Sequence, residues 1–329
     1  MKLLLVDGSA LLYRSHFAFR GRPLTTSHGE ATSAAYGVAT ALVHLREDEG
    51  AQMMVVAFDA KGDTFRHEMY PQYKANRPPM PQELSEQVPR VHELVRAMGL
   101  PLLSPPRYEA DDVLATLARQ AVERGDEAWI YSGDKDFIPL VRPGVGILKP
   151  ASKGGNDLYL DEDSIRRDLG LAPPQFLQVL ALMGDKADNV PGAPGVGEKT
   201  ALKLISDFGS IEGVFANLDD SRIRPKLREK LLENREMIEL SLRLVTIDEN
   251  VPLSMNWDEA KLAEYPADFY ELCRELEFTR LLQRLPKSSG QGPASASLSE
   301  ETKGEGEKEA ERKYQKEDQK EDQKEDQKE

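Results

Sequence analysis

The stretch Lys2-Leu3-Leu4-Leu5-Val6-Asp7-Gly8-Ser9 opens the chain with an unbroken apolar run that stops abruptly on an acid and a glycine. Such a run is far too short for a signal-peptide core or a membrane span. Bounded by turn residues, it reads instead as a parallel strand buried on both faces. Residues 53–58 repeat the pattern and stop on Asp59, and residues 128–131 and 147–148 are shorter strand candidates. Between them, residues 31–46, 87–98 and 112–124 carry apolar side chains at helical spacing. Strands alternating with helices predict an α/β domain around a central, mostly parallel sheet. After about residue 171 the reading turns helical, over residues 176–183, 199–208, 225–245 and 267–285. The expected organisation is therefore an α/β domain over 1–171, a helical domain over 172–286 and a tail over 287–329. Residues 61–86 are polar, aromatic and basic and are interrupted by Pro78, Pro79 and Pro81, so they are expected to form a mobile excursion from the α/β domain.

Composition sets outer bounds. With 329 residues, 40% hydrophobic and 30% charged, the chain can bury a sizeable core. Its single cysteine, Cys273, excludes an internal disulfide framework and a cysteine-rich zinc site. The absence of any targeting signal or membrane span leads to the expectation of a cytoplasmic protein. A net charge of −14 argues at first against a nucleic-acid partner. The segment after residue 286 nevertheless holds nine Lys/Arg against thirteen Asp/Glu, and many other acids fall in short clusters that divalent ions would neutralise. The tail settles into a Gln-Lys-Glu-Asp repeat from Gln315 with almost no apolar residues. It is expected to be disordered, with an exposed charge-paired helix as the alternative.

The position of the acids is the informative feature. Asp7 and Asp59 end strands, and Asp134 and Asp136 follow the strand candidate at 128–131. In an open α/β sheet the loops at the carboxyl ends of strands converge on one crevice. Glu109, Asp111 and Asp112 open a helix beyond a proline-bounded loop, and Asp185 and Asp188 lie one helical turn apart in Met183-Gly-Asp-Lys-Ala-Asp-Asn189. Together these nine carboxylates predict a centre for hard cations, magnesium, manganese or calcium, and the expected cofactor is magnesium, with manganese able to substitute. Two such ions are the usual means of hydrolysing a phosphodiester. Each acid alone has an ordinary alternative: an Asp after a strand is commonly a cap or turn residue, and Glu-Ala-Asp-Asp at a helix start could merely complement the helix dipole. A purely structural calcium site is a third option, although no loop has the EF-hand spacing.

Val190-Pro-Gly-Ala-Pro-Gly-Val-Gly-Glu-Lys-Thr-Ala201 leads into an apolar-periodic helix. Gly195 and Gly197 would allow a tight turn, and the helix N-terminus would offer free N–H groups, with Lys199 and Thr200, to a phosphate. This matches a helix-hairpin-helix clamp on the DNA backbone, with an ordinary interhelical turn as the alternative. Arg222, Arg224, Lys226, Arg228 and Lys230 form either a second phosphate track or a solvated face.

Taken together, these motifs resemble the 5′ nuclease domain of bacterial DNA polymerase I, within the wider flap endonuclease family, from residue 1 to about 285. The resemblance rests on Leu5-Val-Asp-Gly-Ser9, Phe58-Asp-Ala-Lys-Gly62, Thr64-Phe-Arg66, Tyr73-Lys-Ala-Asn-Arg-Pro-Pro-Met-Pro81, Glu109-Ala-Asp-Asp112, Gly133-Asp-Lys-Asp136, Leu182-Met-Gly-Asp185 and Pro194-Gly-Val-Gly-Glu-Lys-Thr-Ala201. It implies a PIN-like, Rossmann-like sheet with a helical arch at about 61–86, followed by a helical domain of the H3TH type. It also implies a two-metal centre at the nine carboxylates, catalytic roles for Arg66, Lys74 and Arg77, and substrate contacts from Arg14 and Tyr73. A monovalent cation, potassium, is implied at the hairpin carbonyls of Gly192, Gly195 and Gly197. The expected activity is 5′-3′ exonuclease and flap endonuclease, on 5′ flaps, nicks and RNA-primed ends, by a monomer working with a separate DNA polymerase and ligase. Nothing resembling a proofreading or polymerase domain follows residue 285, Lys186-Ala187 is a mild departure from the small polar residues commoner there, and the tail has no family counterpart. Two other readings compete: a non-catalytic DNA-junction binder using the same clamp, and a PIN-type RNase, against which the arch-like segment and hairpin both count.

Overall fold

In the computed structural model, β1 (Lys2–Asp7) lies inside a six-stranded sheet of order β3-β2-β1-β4-β5-β6. β2 (Met53–Ala57), β3 (Leu102–Leu103), β4 (Glu127–Tyr131) and β5 (Val145–Lys149) run parallel with it, and the edge strand β6 (Leu158–Leu160) runs antiparallel. The period-2 geometry of a strand divides β1 between two cores. Leu4 and Val6 enter the core that includes α1 (Gly8–Ala18), α2 (Ser33–Glu47) and, after the short α3 (Phe65–Met69), α4 (Gln82–Ala97). Leu3 and Leu5 enter the opposite core, with α5 (Ala110–Glu123) and the 3-10 helix Lys135–Leu140. Both faces are covered, so the strand needs no polar alternation, and the mostly parallel sheet expected from the sequence is present. The structure describes residues 1–151 and 155–286; the expectation of a disordered tail concerns residues outside the described ones.

The helical part continues through α6 (Glu162–Leu169), α7 (Pro173–Met183), α8 (Glu198–Phe208), α9 (Ile211–Ala216), α10 (Pro225–Glu233), α11 (Arg235–Val245), α12 (Ala267–Glu275) and α13 (Thr279–Arg284). Residues 225–245, read as one helix, are two, broken at Asn234, whose side-chain amide donates to Lys230 O at 2.8 Å. Residues 267–285 break likewise at Glu277, which takes a positive φ of 58°. α7, α8, α9 and α11 surround a third core.

Two expectations about organisation are corrected. Residues 61–86, expected to lie outside the core, contribute to it: Arg66 and Tyr73 are 2% and 4% exposed, and Tyr73 belongs to the third core. Lys74 N–H donates to Asp188 O at 2.9 Å, and Asn76 and Asn189 side-chain amides tie the segment to the loop at 186–189. Ala75 to Pro81 are exposed, and α4 starts at Gln82, five residues before the expected 87, and packs back onto the α/β layer. The second correction concerns the end of the described chain. Residues after α11 do not stay with the helical core; Met54 N–H donates to Ala260 O, Leu262 N–H to Gln52 O, and Phe269, Leu272, Cys273 and Phe278 fill the core beside α2 and α4. Apolar periodicity identified α12 and α13 as helices but carried no information about which core they cover.

Candidate metal centre and nucleic-acid interface

The sheet changes direction of growth at β1, with β2 on one side and β4 on the other, so the crevice at a topological switch point opens where β1 and β4 end. Asp7 stands there. Its Oδ1 accepts from Ala10 N–H at 2.9 Å, capping α1, and its Oδ2 accepts from the Ser132 hydroxyl at 3.0 Å. The capping role and the crevice position are therefore compatible. Asp134 similarly caps the 3-10 helix, accepting from Asp136 N–H at 2.9 Å. Asp59 accepts from Ala110 N–H at 2.9 Å, which fixes the start of α5 and brings Asp111 to the same place.

The acids act on one another. Burial pushes the Asp7 carboxyl up to about 6, with the charges of Asp59 and Asp134 adding to the effect against its hydrogen bonds to Ala10 and Ser132. Burial also raises Asp111 well above the usual range, followed by the charges of Asp7, Asp59, Asp134 and Glu109. Asp136 is pushed up to about 7, by burial first and then by Asp134, Asp185 and Asp188. Asp7, Asp59, Glu109, Asp111, Asp134, Asp136, Asp185 and Asp188 thus form one electrostatic cluster. Asp136 Oδ1 is buried without a hydrogen-bond partner, and such an atom amid like charges fits a cation.

Basic residues of the 61–86 segment border this cluster. Lys74 Nζ lies 2.6 Å from Glu109 Oε1 and 3.7 Å from Asp188 Oδ2, and Arg77 pairs with Asp188. Burial opposes the Lys74 charge, but Glu109 and Asp188 hold its proton above the ordinary lysine range. The Tyr73 hydroxyl lies 3.1 Å from Glu109 Oε2 and 3.2 Å from Asp188 Oδ2.

Asp112 and Arg66 have a different fate from the one expected. Asp112 is fully buried and Arg66 meets it through two parallel hydrogen bonds of 2.8 Å. Asp112 also accepts from Glu109 N–H at 3.1 Å and Asp248 N–H at 2.9 Å. Arg66 also donates to Leu244 O at 2.9 Å and Thr246 O at 3.0 Å. With both oxygens doubly engaged, Asp112 has no lone pair left for an ion, and Arg66 is committed to joining α3, α5 and the end of α11. The expected ligand and catalytic roles of these two are replaced by a buried ion pair that positions Glu109.

On the other side of Asp7 a cavity of about 620 Å³ is lined by Arg14, Tyr131, Ser132, Asp134 and Lys149. Ser132 and Lys149 were missed from the sequence. Ser132 immediately precedes Gly133-Asp134, a signal that was available; Lys149 ends β5 and gave none.

The hairpin between α7 and α8 is closed by paired hydrogen bonds of Asp185 and Val190, at 3.0 and 2.7 Å. The closest backbone approach is at Gly184 and Gly192, not at Gly195 and Gly197: a Cβ on Gly184 would lie 2.5 Å from Val190 O, and one on Gly192 would lie 2.4 Å from Gly184 N. Gly192 is buried and donates to Ser241 Oγ at 2.9 Å. Gly195, Gly197 and Lys199 are exposed, Thr200 is half-buried, and α8 begins without a side-chain cap. Arg222 is paired with Asp220 at 2.9 Å and lies over the Phe208 ring, whereas Arg224 and Lys226 are exposed at the start of α10. The two-residue alternation of the basic run is lost because α10 begins at Pro225.

A mostly parallel sheet with an acid-lined switch point, joined to a helical hairpin, defines an α/β domain coupled to a helical module. Residues 2–170 match the family of 5′-3′ exonuclease N-terminal resolvase-like domains, and residues 171–268 match that of 5′-3′ exonuclease C-terminal SAM folds. The chain is 40% identical to DNA polymerase I of Bacillus caldotenax over 294 residues, 88% of this chain and 33% of that protein. It is 42% identical to DNA polymerase I of Pseudomonas aeruginosa over 310 residues, 91% of this chain and 33% of that protein. It therefore belongs to the 5′-3′ exonuclease family, and it spans about a third of the length of the curated relatives it matches. In fold it is similar to the T5 D15 protein co-crystallised with metal ions, with a TM-score of 0.61 and 22% identity over 75% of this chain and 90% of that one. It is also similar in fold to the catalytic core of Rad2 in complex with DNA substrate, with a TM-score of 0.58 and 19% identity over 87% and 92%.

Proposed function

We propose that the chain is a divalent-metal-dependent, structure-specific 5′ nuclease, a 5′-3′ exonuclease and flap endonuclease that hydrolyses phosphodiester bonds near the 5′ ends of flapped, nicked or RNA-primed DNA. The observation that carries this reading is the buried, unpartnered Asp136 Oδ1 within a cluster of acids that raise one another's proton affinity. Asp7, Asp59, Glu109, Asp111, Asp134, Asp136, Asp185 and Asp188 would hold magnesium or manganese, all-oxygen sets being suited to hard ions. Such ions would supply water activation and neutralise charge on the phosphate and leaving oxygen.

The protein's own groups do the rest. Arg66 and Asp112 orient the start of α5 and hence Glu109. Lys74 and Arg77, the cations bordering the acids, offset charge that grows on the phosphate during cleavage. Tyr73 keeps Glu109 and Asp188 oriented from its buried position. Arg14, beside Lys149 in the neighbouring cavity, receives phosphates of the 5′ strand. The uncapped start of α8, with Gly195, Gly197, Lys199 and Thr200, grips the duplex backbone, and Arg224 and Lys226 extend the contact. Arg222 contributes less because Asp220 already pairs with it. Carbonyls of Gly192, Gly195 and Gly197 would hold a potassium ion at the hairpin. In this reading the chain divides at about residue 171, with the segment at 61–86 bordering the path of the 5′ strand. It acts as a monomer in the cytoplasm, and a polymerase and a ligase complete primer removal and repair.

A labelled 5′-flap duplex incubated with magnesium tests the proposal. Wild-type protein is expected to cut near the branch, and Asp134→Ala to lose activity by about 100-fold or more. A folded wild type that binds the junction without cutting it would make the protein a DNA-binding module, and preferential cutting of an all-RNA flap would make it an RNase.

A further inference from the structure

Away from the crevice, three side chains from separate elements direct one donor atom each to a common spot: His44 on α2, Glu49 in the turn that follows it, and Asp157 just before β6. Their donor atoms all lie within 4.8 Å of one another. His44 Nε2 stands 3.5 Å from Asp157 Oδ2 and 3.7 Å from Glu49 Oε1. Those separations are long for charge-assisted hydrogen bonds. They are close to the ~3.4 Å expected between ligands bonded at about 2.0–2.1 Å to one tetrahedral ion.

The other polar atom of each side chain is already engaged. His44 Nδ1 lies 2.6 Å from Asp48 Oδ2, Glu49 Oε2 accepts from the Tyr159 hydroxyl, and Asp157 Oδ1 accepts from Ala151 N–H at 2.7 Å. A carboxylate on Nδ1 fixes the tautomer that leaves the Nε2 lone pair facing the common spot, as partners of metal-bound histidines do. Asp157 Oδ2 is buried and accepts no hydrogen bond, although its side chain is only 6% exposed. A buried carboxylate oxygen in that state calls for a cation. A cavity of about 490 Å³ opens onto all three residues, with Tyr131 and Arg284 on its wall.

We propose that His44, Glu49 and Asp157 form a binding site for a divalent transition ion of the zinc class, separate from the crevice acids, with its fourth position open to the cavity. One imidazole and two carboxylates favour zinc over magnesium, which prefers all-oxygen sets. The ion links the end of α2 to the residues entering β6.

The whole 329-residue chain dialysed against zinc in excess magnesium, with bound zinc counted by mass spectrometry, tests this site apart from the nuclease reading. Wild type and Asp134→Ala are expected to hold one zinc ion more than His44→Ala or Asp157→Asn, whose zinc affinity falls at least about 10-fold. Cobalt(II) in wild type is expected to give the intense visible bands of a four-coordinate site, lost in both ligand variants. Circular dichroism verifies folding, and Glu49→Gln replaces either variant that fails to fold. Equal zinc content in wild type and the folded ligand variants overturns the proposal. So does loss of the zinc ion in Asp134→Ala with its retention in His44→Ala.

Discussion

The acid cluster should make the metal-free protein less stable at neutral pH than it would be without one of its carboxylates, and Asp136→Asn measures this directly. Burial, then Asp134, Asp185 and Asp188, push Asp136 from 3.8 to about 7. The folded state therefore holds this proton more tightly than the unfolded state. Its contribution to stability is present in full below about pH 4 and is lost as pH rises through about 7. That difference in proton affinity corresponds to ~4 kcal/mol at high pH. The crevice is open to solvent on one side, so screening reduces the expected cost to about half, ~2 kcal/mol. In EDTA at pH 8, Asp136→Asn should melt roughly 4–8 °C above wild type, and the difference should vanish near pH 4. Magnesium should raise the melting temperature of wild type more than that of the variant. Melting curves followed by circular dichroism at both pH values supply the test. If Asp136→Asn melts below wild type in EDTA at pH 8, the carboxylate is a satisfied structural group, and the argument for a cation at Asp136 Oδ1 is wrong.

Arg66→Met should destabilise the fold by about 3–5 kcal/mol in urea titrations, because Asp112 would be left buried without its partner; adding Asp112→Leu should recover part of that loss. Lys74→Met is expected to lower the flap-cleavage rate about 10²–10³-fold while leaving flap affinity nearly unchanged, read by single-turnover kinetics and anisotropy. In the salt dependence of flap binding, Lys199→Ala and Lys226→Ala should each reduce the slope by about 0.9. Arg222→Ala should reduce it by less, since Asp220 already neutralises that guanidinium.

Much of the architecture and most of the acid cluster were legible along the chain. β1 and β2 are continuous buried apolar runs, and the residue that ends or follows such a run at a crevice can be named without knowing the fold. Asp7, Asp59 and Asp134 were found in that way, because strand period and sheet direction follow from local sequence. The shared environment that raises Asp7, Asp111 and Asp136 came only with the fold, since burial and neighbouring charge are properties of the assembled crevice. The same limit explains the misassigned pair. Asp112 has the same residue type as Asp111 and sits beside it, but one step along α5 turns its side chain about 100° away from the crevice, toward Arg66. Sequence could likewise mark α12 as an amphipathic helix without saying that Phe269 and Cys273 would cover α2 and α4. His44, Glu49 and Asp157 carry no motif at all. Residues more than a hundred positions apart meet only because α2 and β5 share one core and the turn after α2 meets β6 at the Tyr159–Glu49 hydrogen bond, and that is decided by the distribution of apolar surface over the whole chain.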